Sequence, residues 1–287
     1  DYTTDIVCTF ELDETPYNWT VTDFQRPKEN SLAVYELLIR DFTEEGSIDA
    51  VTAKLDYLQE LGVNAIELMP IQEFDGNDSW GYNPCFYFAA DKAYGTEEAY
   101  KRFIDECHKR GIAVILDVVF NHATGLFPWA KMWWDSANNN TTDNNPWFNA
   151  VAKHDFNVFH DVNHGDRFVQ DLVKRSLVYL IEEYNVDGFR FDLSKGFTQS
   201  TSGWDGQDQA RINLILDYNK AIKAADPDSY VILEHWGQYS EESQYVRNGM
   251  HPWKKLNSQY ITAAEGNGSS DLSGAYSWLD ATYGASG

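Results

Sequence analysis

Cysteine is scarce in this 287-residue chain: Cys8, Cys85 and Cys107 are far apart and form no C-x-x-C pattern. That excludes a disulfide framework and a zinc knuckle, and Cys107, on a helical pattern, reads as a packing residue. Basic residues are few as well. Lys and Arg total 22 against 45 Asp and Glu, a net charge of −23. Such a surface repels phosphate backbones, so nucleic acid is excluded as a natural partner. No apolar run reaches the ~18 residues of a membrane span. The opening DYTTDIVCTFELDE lacks the basic start and apolar middle of a signal peptide, although a removed signal would leave the same sequence.

Aromatic residues, in contrast, are plentiful. There are 10 Trp, 17 Tyr and 16 Phe, within a composition that is 43% hydrophobic. Such rings suit a large core, the simpler reading, and also suit the flat apolar faces of sugars. The length exceeds an ordinary single core but fits one α/β barrel.

Along the chain, residues 1–30 read as an extended lead-in from a preceding domain. DIVCTFELDE alternates like a strand and TPYNWTVTDFQRPKEN looks like a connector. From Ser31 the rhythm changes to apolar runs alternating with amphipathic segments. Strands are expected within 32–40, 63–70, 112–120, 186–192 and 229–236, and a sixth near residue 274. Helices are expected at 47–62, 96–111, 166–184 and 208–225, with Thr96 as an N-cap and Gly62 and Gly111 as stops. Segment 238–264 is compatible with further helix. Apolar strands separated by such helices imply a parallel sheet with helices outside it. Two long loops, 71–95 and 121–165, follow the second and third strands, where long loops are commonly functional.

Polar residues collect at the strand ends. The third strand ends in Asp117, Asn121 and His122, the fourth in Arg190 and Asp192, the fifth in Glu234 and His235. One Asp after a strand is most simply a helix cap. Three consecutive strands ending in such groups converge on one face and point to a site. Arg190 and Asp192, two residues apart, share a side of the pleat, so the guanidinium is expected to keep the carboxylate ionised. Glu234, between Leu233 and the ring of Trp236, is expected to hold a proton through partial desolvation. An ionised carboxylate facing a protonated one suits glycoside cleavage, and it suits other acid–base chemistry equally.

DVVFNH (117–122), GFRFD (188–192) and VILEHW (231–236), in this order and after these strands, resemble the short motifs of the α-amylase family of glycoside hydrolases. GVNAIELMPI (62–71), SWGYNP (79–84) and HDVNHGDRFVQDLV (160–173) resemble further stretches of the same family. The resemblance runs from about Ser31 to Gly237 and implies a (β/α)8 TIM-type barrel with a small domain, here 121–165, inserted after strand three. It implies Asp192 as nucleophile and Glu234 as general acid and base in a retaining double displacement. Arg190 would orient Asp192, and Asp117 would brace Arg190. His122 and Tyr82 would bind the sugar at the cleaved bond. Lys195 matches a lysine near the leaving-group side, although the His that often follows it is here Gly196. Trp80 and Trp236 are candidate sugar platforms, and the insert's Trp129, Trp133, Trp134 and Trp147 are divided between stacking and insert core. Asn121 falls where many members supply an oxygen to calcium, so the resemblance allows a bound calcium and requires no cofactor.

The family's third carboxylate, in a His-Asp pair ending strand seven, has no counterpart in 237–287. The barrel therefore reads as truncated after five or six βα units, with 31–287 a partial catalytic barrel that is expected to be inactive alone. The resemblance implies an α-glucan as substrate, with α-1,4 endo-cleavage favoured. A pullulanase-type α-1,6 debranching enzyme, a branching or transglycosylating enzyme, and a non-catalytic glucan-binding protein with a degenerate hydrolase fold are the alternatives. A polymeric glucan suggests an extracytoplasmic location, and no signal sets the oligomeric state.

Overall fold

The central sheet forms from short apolar runs flanked by longer amphipathic ones, and a computed structural model shows how they assemble. It describes Leu12, residues 15–253, residues 257–268 and Ser270. Six strands, β1 (Val34–Leu37), β2 (Ala65–Leu68), β3 (Ala113–Val118), β4 (Gly188–Phe191), β5 (Tyr230–Leu233) and β6 (His251–Pro252), lie side by side in sequence order. Every pairing is parallel, with Asp117 opposite Arg190 and Arg190 opposite Ile232. The helices between them include α1 (Ile48–Thr52), α2 (Leu55–Glu60), α3 (Glu97–Lys109), α4 (Arg167–Tyr184), α5 (Gln209–Ala225) and α6 (Tyr239–Val246). The arrangement is part of a parallel (β/α) barrel sheet, six strands of it among the described residues.

Three expectations need adjustment. The sixth strand is at His251–Pro252, while the stretch near residue 274 lies outside the described residues. Two residues carry no apolar period of their own, and pairing to Ile232 and Leu233 of β5 is what makes them a strand. The single helix expected at 47–62 is two. Thr52 donates its hydroxyl back to the Ile48 carbonyl at 2.8 Å, a bond that competes with helix continuation. Strand one is shorter than its apolar run, because Ile39–Phe42 turns into a helical segment. The strand read in DIVCTFELDE lies outside the described residues apart from Leu12.

The connector after it is fastened down. Asp105 accepts from Thr20 and Val21, Phe24 stacks on His108 at 4.1 Å, and Arg26 pairs with Asp187 and Asp226. Asp187, buried at the start of β4, also receives His108 and the Val114 amide. The next residue, Gly188, allows β4 and β5 to approach. A Cβ there would lie 2.5 Å from the Tyr230 carbonyl oxygen.

Residues 121–165 fold beyond the end of β3. His122–Ala123 pairs antiparallel with His160–Val162, which also pairs with Phe148–Asn149. Trp129 and Trp147 stack on each other at 4.2 Å, so these two serve the insert's own packing.

Candidate active site

Side chains two apart on a strand share a face. Ala113 and Ile115 of β3 and Ile232 of β5 pack together on the inner face of the sheet. Asp117, Arg190 and Glu234 continue that face toward the C-terminal strand ends, where the parallel register sets Asp117 level with Arg190 and Glu234 two residues further on. The Arg190 guanidinium is the hub. Its Nη1 donates to both oxygens of Asp117 (2.8 and 2.9 Å) and to Asp192 Oδ1 (2.9 Å), and its Nη2 donates to Glu234 Oε2 (2.6 Å). Trp253 lies under it, 5.0 Å from ring centre to Cζ.

Burial separates the three carboxylates. Asp117 is 0% exposed, whereas Asp192 and Glu234 are each 15% exposed at the mouth. Burial raises the Glu234 pKa, Arg190 opposes this and the neighbouring Asp192 reinforces it, leaving the carboxyl above its ordinary value. Burial pushes Asp117 up to about 7; Arg190 and the Tyr82 hydroxyl (2.7 Å) pull against that, and the charge of Asp192 adds to it. Burial works against the Arg190 charge too, and Asp117, Asp192 and Glu234 together outweigh it, so its pKa rises. Asn121 donates to Asp192 Oδ2 at 2.7 Å and to its carbonyl at 3.0 Å. After Asp192 the chain turns through Leu193 in left-handed backbone (φ 38°), which aims the Leu193 amide at Glu234 Oε2, 3.2 Å away.

His122 is 3% exposed, with Nε2 at the Tyr82 carbonyl (2.7 Å) and Nδ1 at Asn121 Oδ1. Burial pushes the imidazole down while the Tyr82 carbonyl opposes it. A neutral ring donates only once, so the two contacts cannot both be hydrogen bonds in the form that burial favours. Both nitrogens already have partners within the protein, so sugar recognition here would exchange one of them. Lys195 lies in the loop after β4, half-buried, with Nζ 4.3 Å above the Trp204 ring. Burial and then Arg211 lower its pKa. Trp80 and Trp236 stand free at 59% and 50% exposure.

Asn121 does not fit a calcium ligand. Its side-chain oxygen faces His122 and its amide faces Asp192. Nearby Asp161 already meets Asn149, Lys153 and His154. Among the described residues no cluster of three His, Cys, Asp or Glu side chains is arranged to hold a metal.

A second buried network lies behind the site and was not legible as such in the sequence. Arg211 and Glu241, both 0% exposed, form a two-pronged pair at 2.7 Å. Glu241 also receives His235 Nε2 and the Tyr245 hydroxyl. Burial alone would raise Glu241, yet His235 and Arg211 outweigh it and hold its pKa at about 2. His235 reaches Ser194, whose amide donates to the Glu234 carbonyl, and Arg211 donates to the Lys195 carbonyl. The network therefore ties together the two loops that carry Asp192 and Glu234. Glu241 and Arg211 lie on different helices, 30 residues apart, and no local pattern links them. His235, next to Glu234, was the only signal.

The chain also resembles known proteins. The family model for the alpha-amylase catalytic domain matches residues 20–158. A malto-oligosyltrehalose trehalohydrolase from Saccharolobus solfataricus is 35% identical over 246 residues, covering 84% of this chain and 41% of that protein. The chloroplastic isoamylase SU1 of Zea mays is 33% identical over 210 residues, 62% of this chain and 26% of that protein. A crystal structure of a putative alpha amylase from Salmonella typhimurium superposes with a TM-score of 0.62 at 28% identity, covering 76% of this chain and 34% of the other. The chain thus spans less than half the length of each of these relatives.

Proposed function

Because the chain belongs to the α-amylase family of glycoside hydrolases, we propose that the protein containing it is a retaining hydrolase of α-glucans. One observation carries the reading: a single guanidinium holds both Asp192 and Glu234 at the mouth of the sheet. In retaining enzymes two neighbouring carboxylates divide the work, one attacking and the other transferring protons. Asp192 is the nucleophile, oriented by Arg190 and Asn121, and forms the covalent glycosyl intermediate. Glu234, whose environment favours its protonated form, donates to the leaving oxygen and then activates water. Asp117 braces Arg190. Tyr82 and His122 line the sugar at the cleaved bond, Lys195 stands on the leaving side, and Trp80 and Trp236 extend the platform. Residues 31–287 are the proposed partial catalytic barrel, with 121–165 as its inserted small domain. No organic cofactor is involved and no calcium role is assigned to Asn121.

For the bond cleaved, α-1,4 endo-hydrolysis remains the primary reading. The relatives named trehalohydrolase and isoamylase favour a second, in which a trehalose-ended maltooligosaccharide or an α-1,6 branch is cut. Products from soluble starch, pullulan and a maltooligosyl trehalose separate these cases. Substitution of Asp192→Asn in the full-length protein is expected to cut turnover by at least ~10³-fold, roughly 4 kcal/mol of transition-state stabilisation, while glucan binding persists. Turnover at the wild-type rate would refute the assignment. A polymeric substrate also favours an extracytoplasmic location, which fractionation of the source cells would test.

A further inference from the structure

A histidine of the insert stands near Asn121, where the resemblance allows a calcium ion. His154 belongs to the loop between Phe148–Asn149 and His160–Val162. Its side chain is 0% exposed, although Asp155 and Phe156 beside it face water. Its partners fix its protons. Nδ1 lies 2.7 Å from the Asp155 carbonyl, which only accepts, so Nδ1 carries a proton. Nε2 lies 3.2 Å from Asp161 Oδ1. The other oxygen of that buried carboxylate accepts from Asn149 and the Lys153 amide, whereas Oδ1 has no aligned donor among the described residues. A bare Nε2 lone pair would repel Oδ1, and a proton there turns the contact into an ion pair. With both nitrogens protonated the ring is an imidazolium enclosed by the protein. Burial works against that charge, and Asp161 and Asp155 outweigh it, so the pKa is raised.

The ring is also wedged between the insert and the barrel. An added Cβ at Gly196 would lie 3.0 Å from His154 Nε2 and 3.5 Å from Asn121 Cβ. Imidazole and Asn121 therefore press on the same stretch of backbone, and a side chain at 196 has no room between them. The departure from His at that position has a physical reason, since the insert already supplies an imidazole there. On one side the Trp204 ring lies 5.4 Å from His154, and Lys195 Nζ stands over the same indole. On the other, Asp161 pairs through its backbone with His122, next to the Asn121 that holds Asp192.

We propose that His154 is a positioning residue that stands in for calcium in this protein. Its ring supplies the positive charge beside Asp161 and pins the insert to the loop that carries Asp192 and Lys195. It touches no reacting atom and acts through those two residues. Its effect on turnover rests on the reading of the protein as an α-glucan hydrolase with Asp192 as nucleophile.

The test uses the full-length protein. For wild type, calcium chloride is expected to give no heat of binding and no rise in the thermal midpoint, and EDTA to leave turnover unchanged. His154→Ala is expected to lower kcat about 10- to 100-fold, the scale of a displaced reacting group, with KM changed much less. The substrate is whichever of soluble starch, pullulan and a maltooligosyl trehalose wild type cuts. Free imidazole, which fits the vacated space, is expected to restore much of the lost kcat, a recovery that general unfolding would not show. Calcium that binds wild type and revives EDTA-treated enzyme would overturn the proposal. So would a wild-type kcat in His154→Ala, or a loss that imidazole leaves untouched. The calcium measurements need only wild type, so they decide the matter even where the alanine variant does not fold. Absence of wild-type turnover on all three glucans would instead reject the hydrolase reading, and the calcium measurements would still test the place of His154.

Discussion

Glu67 is a fully buried acid on the inner face of the sheet, and its titration tests the electrostatics of that face. It sits on β2, two residues on from inward-facing Ala65, and is 0% exposed with no hydrogen-bond partner for either carboxyl oxygen among the described residues. Burial, then the charge of Asp117, push its pKa from 4.5 to about 8, with Arg190 opposing. The folded state thus binds this proton more tightly than the unfolded chain does. The stability associated with the neutral acid is fully present below the unfolded value and is lost as pH rises through the folded one. At about pH 7 the loss is about 3 kcal/mol, from roughly 2.5 pH units at 1.36 kcal/mol each. Glu67→Gln keeps the shape and removes the titration. Urea unfolding of both proteins, followed by tryptophan fluorescence at several pH values, isolates the effect from any fixed cost of the amide. The variant's stability relative to wild type is expected to improve by about 3 kcal/mol between about pH 5.5 and pH 8. A difference that stays flat with pH would show that Glu67 is ionised or paired, and the argument from its burial would fail.

Two other perturbations probe the scaffold. Gly188→Ala places a methyl group against the backbone of β5, so a loss of roughly 3 kcal/mol or outright misfolding is expected by thermal unfolding. Glu241→Gln leaves Arg211 buried without its counter-charge, which should cost about 3–5 kcal/mol. It should also lower kcat more than it raises KM, because the loops carrying Asp192 and Glu234 lose their common anchor. The Glu241 contribution is present above its unfolded pKa and disappears as pH falls toward about 2, so wild type and variant should converge in stability in acid.

Much of the layout was readable in advance, for identifiable reasons. The helix at Glu97–Lys109 starts at Thr96, whose side chain accepts from the Ala99 amide, and Gly111 ends it with φ 74°. Such local signals need no knowledge of the rest of the chain. The pleat likewise put Arg190 and Asp192 on one side of their strand, and parallel order brought the ends of the third, fourth and fifth strands to one face. Less was readable where an element depends on its neighbour. His251–Pro252 is a strand only through β5. The 47–62 helix breaks where Thr52 turns its hydroxyl onto the chain. The connector after residue 15 gave no hint that Arg26 would reach Asp187 and Asp226.

The sequence alone determined which residue types stand at the ends of parallel strands, because a two-residue period and an apolar pattern are local properties of the chain. Only the tertiary structure decided what those groups do to one another. It made Arg190 a bridge among three carboxylates, where the two-residue spacing had suggested a single partnership with Asp192. It turned Asn121 toward Asp192 and filled the space beside Gly196 with His154. Partner choice inside a fold depends on distance and desolvation between segments far apart in the chain, and neither is written in spacing.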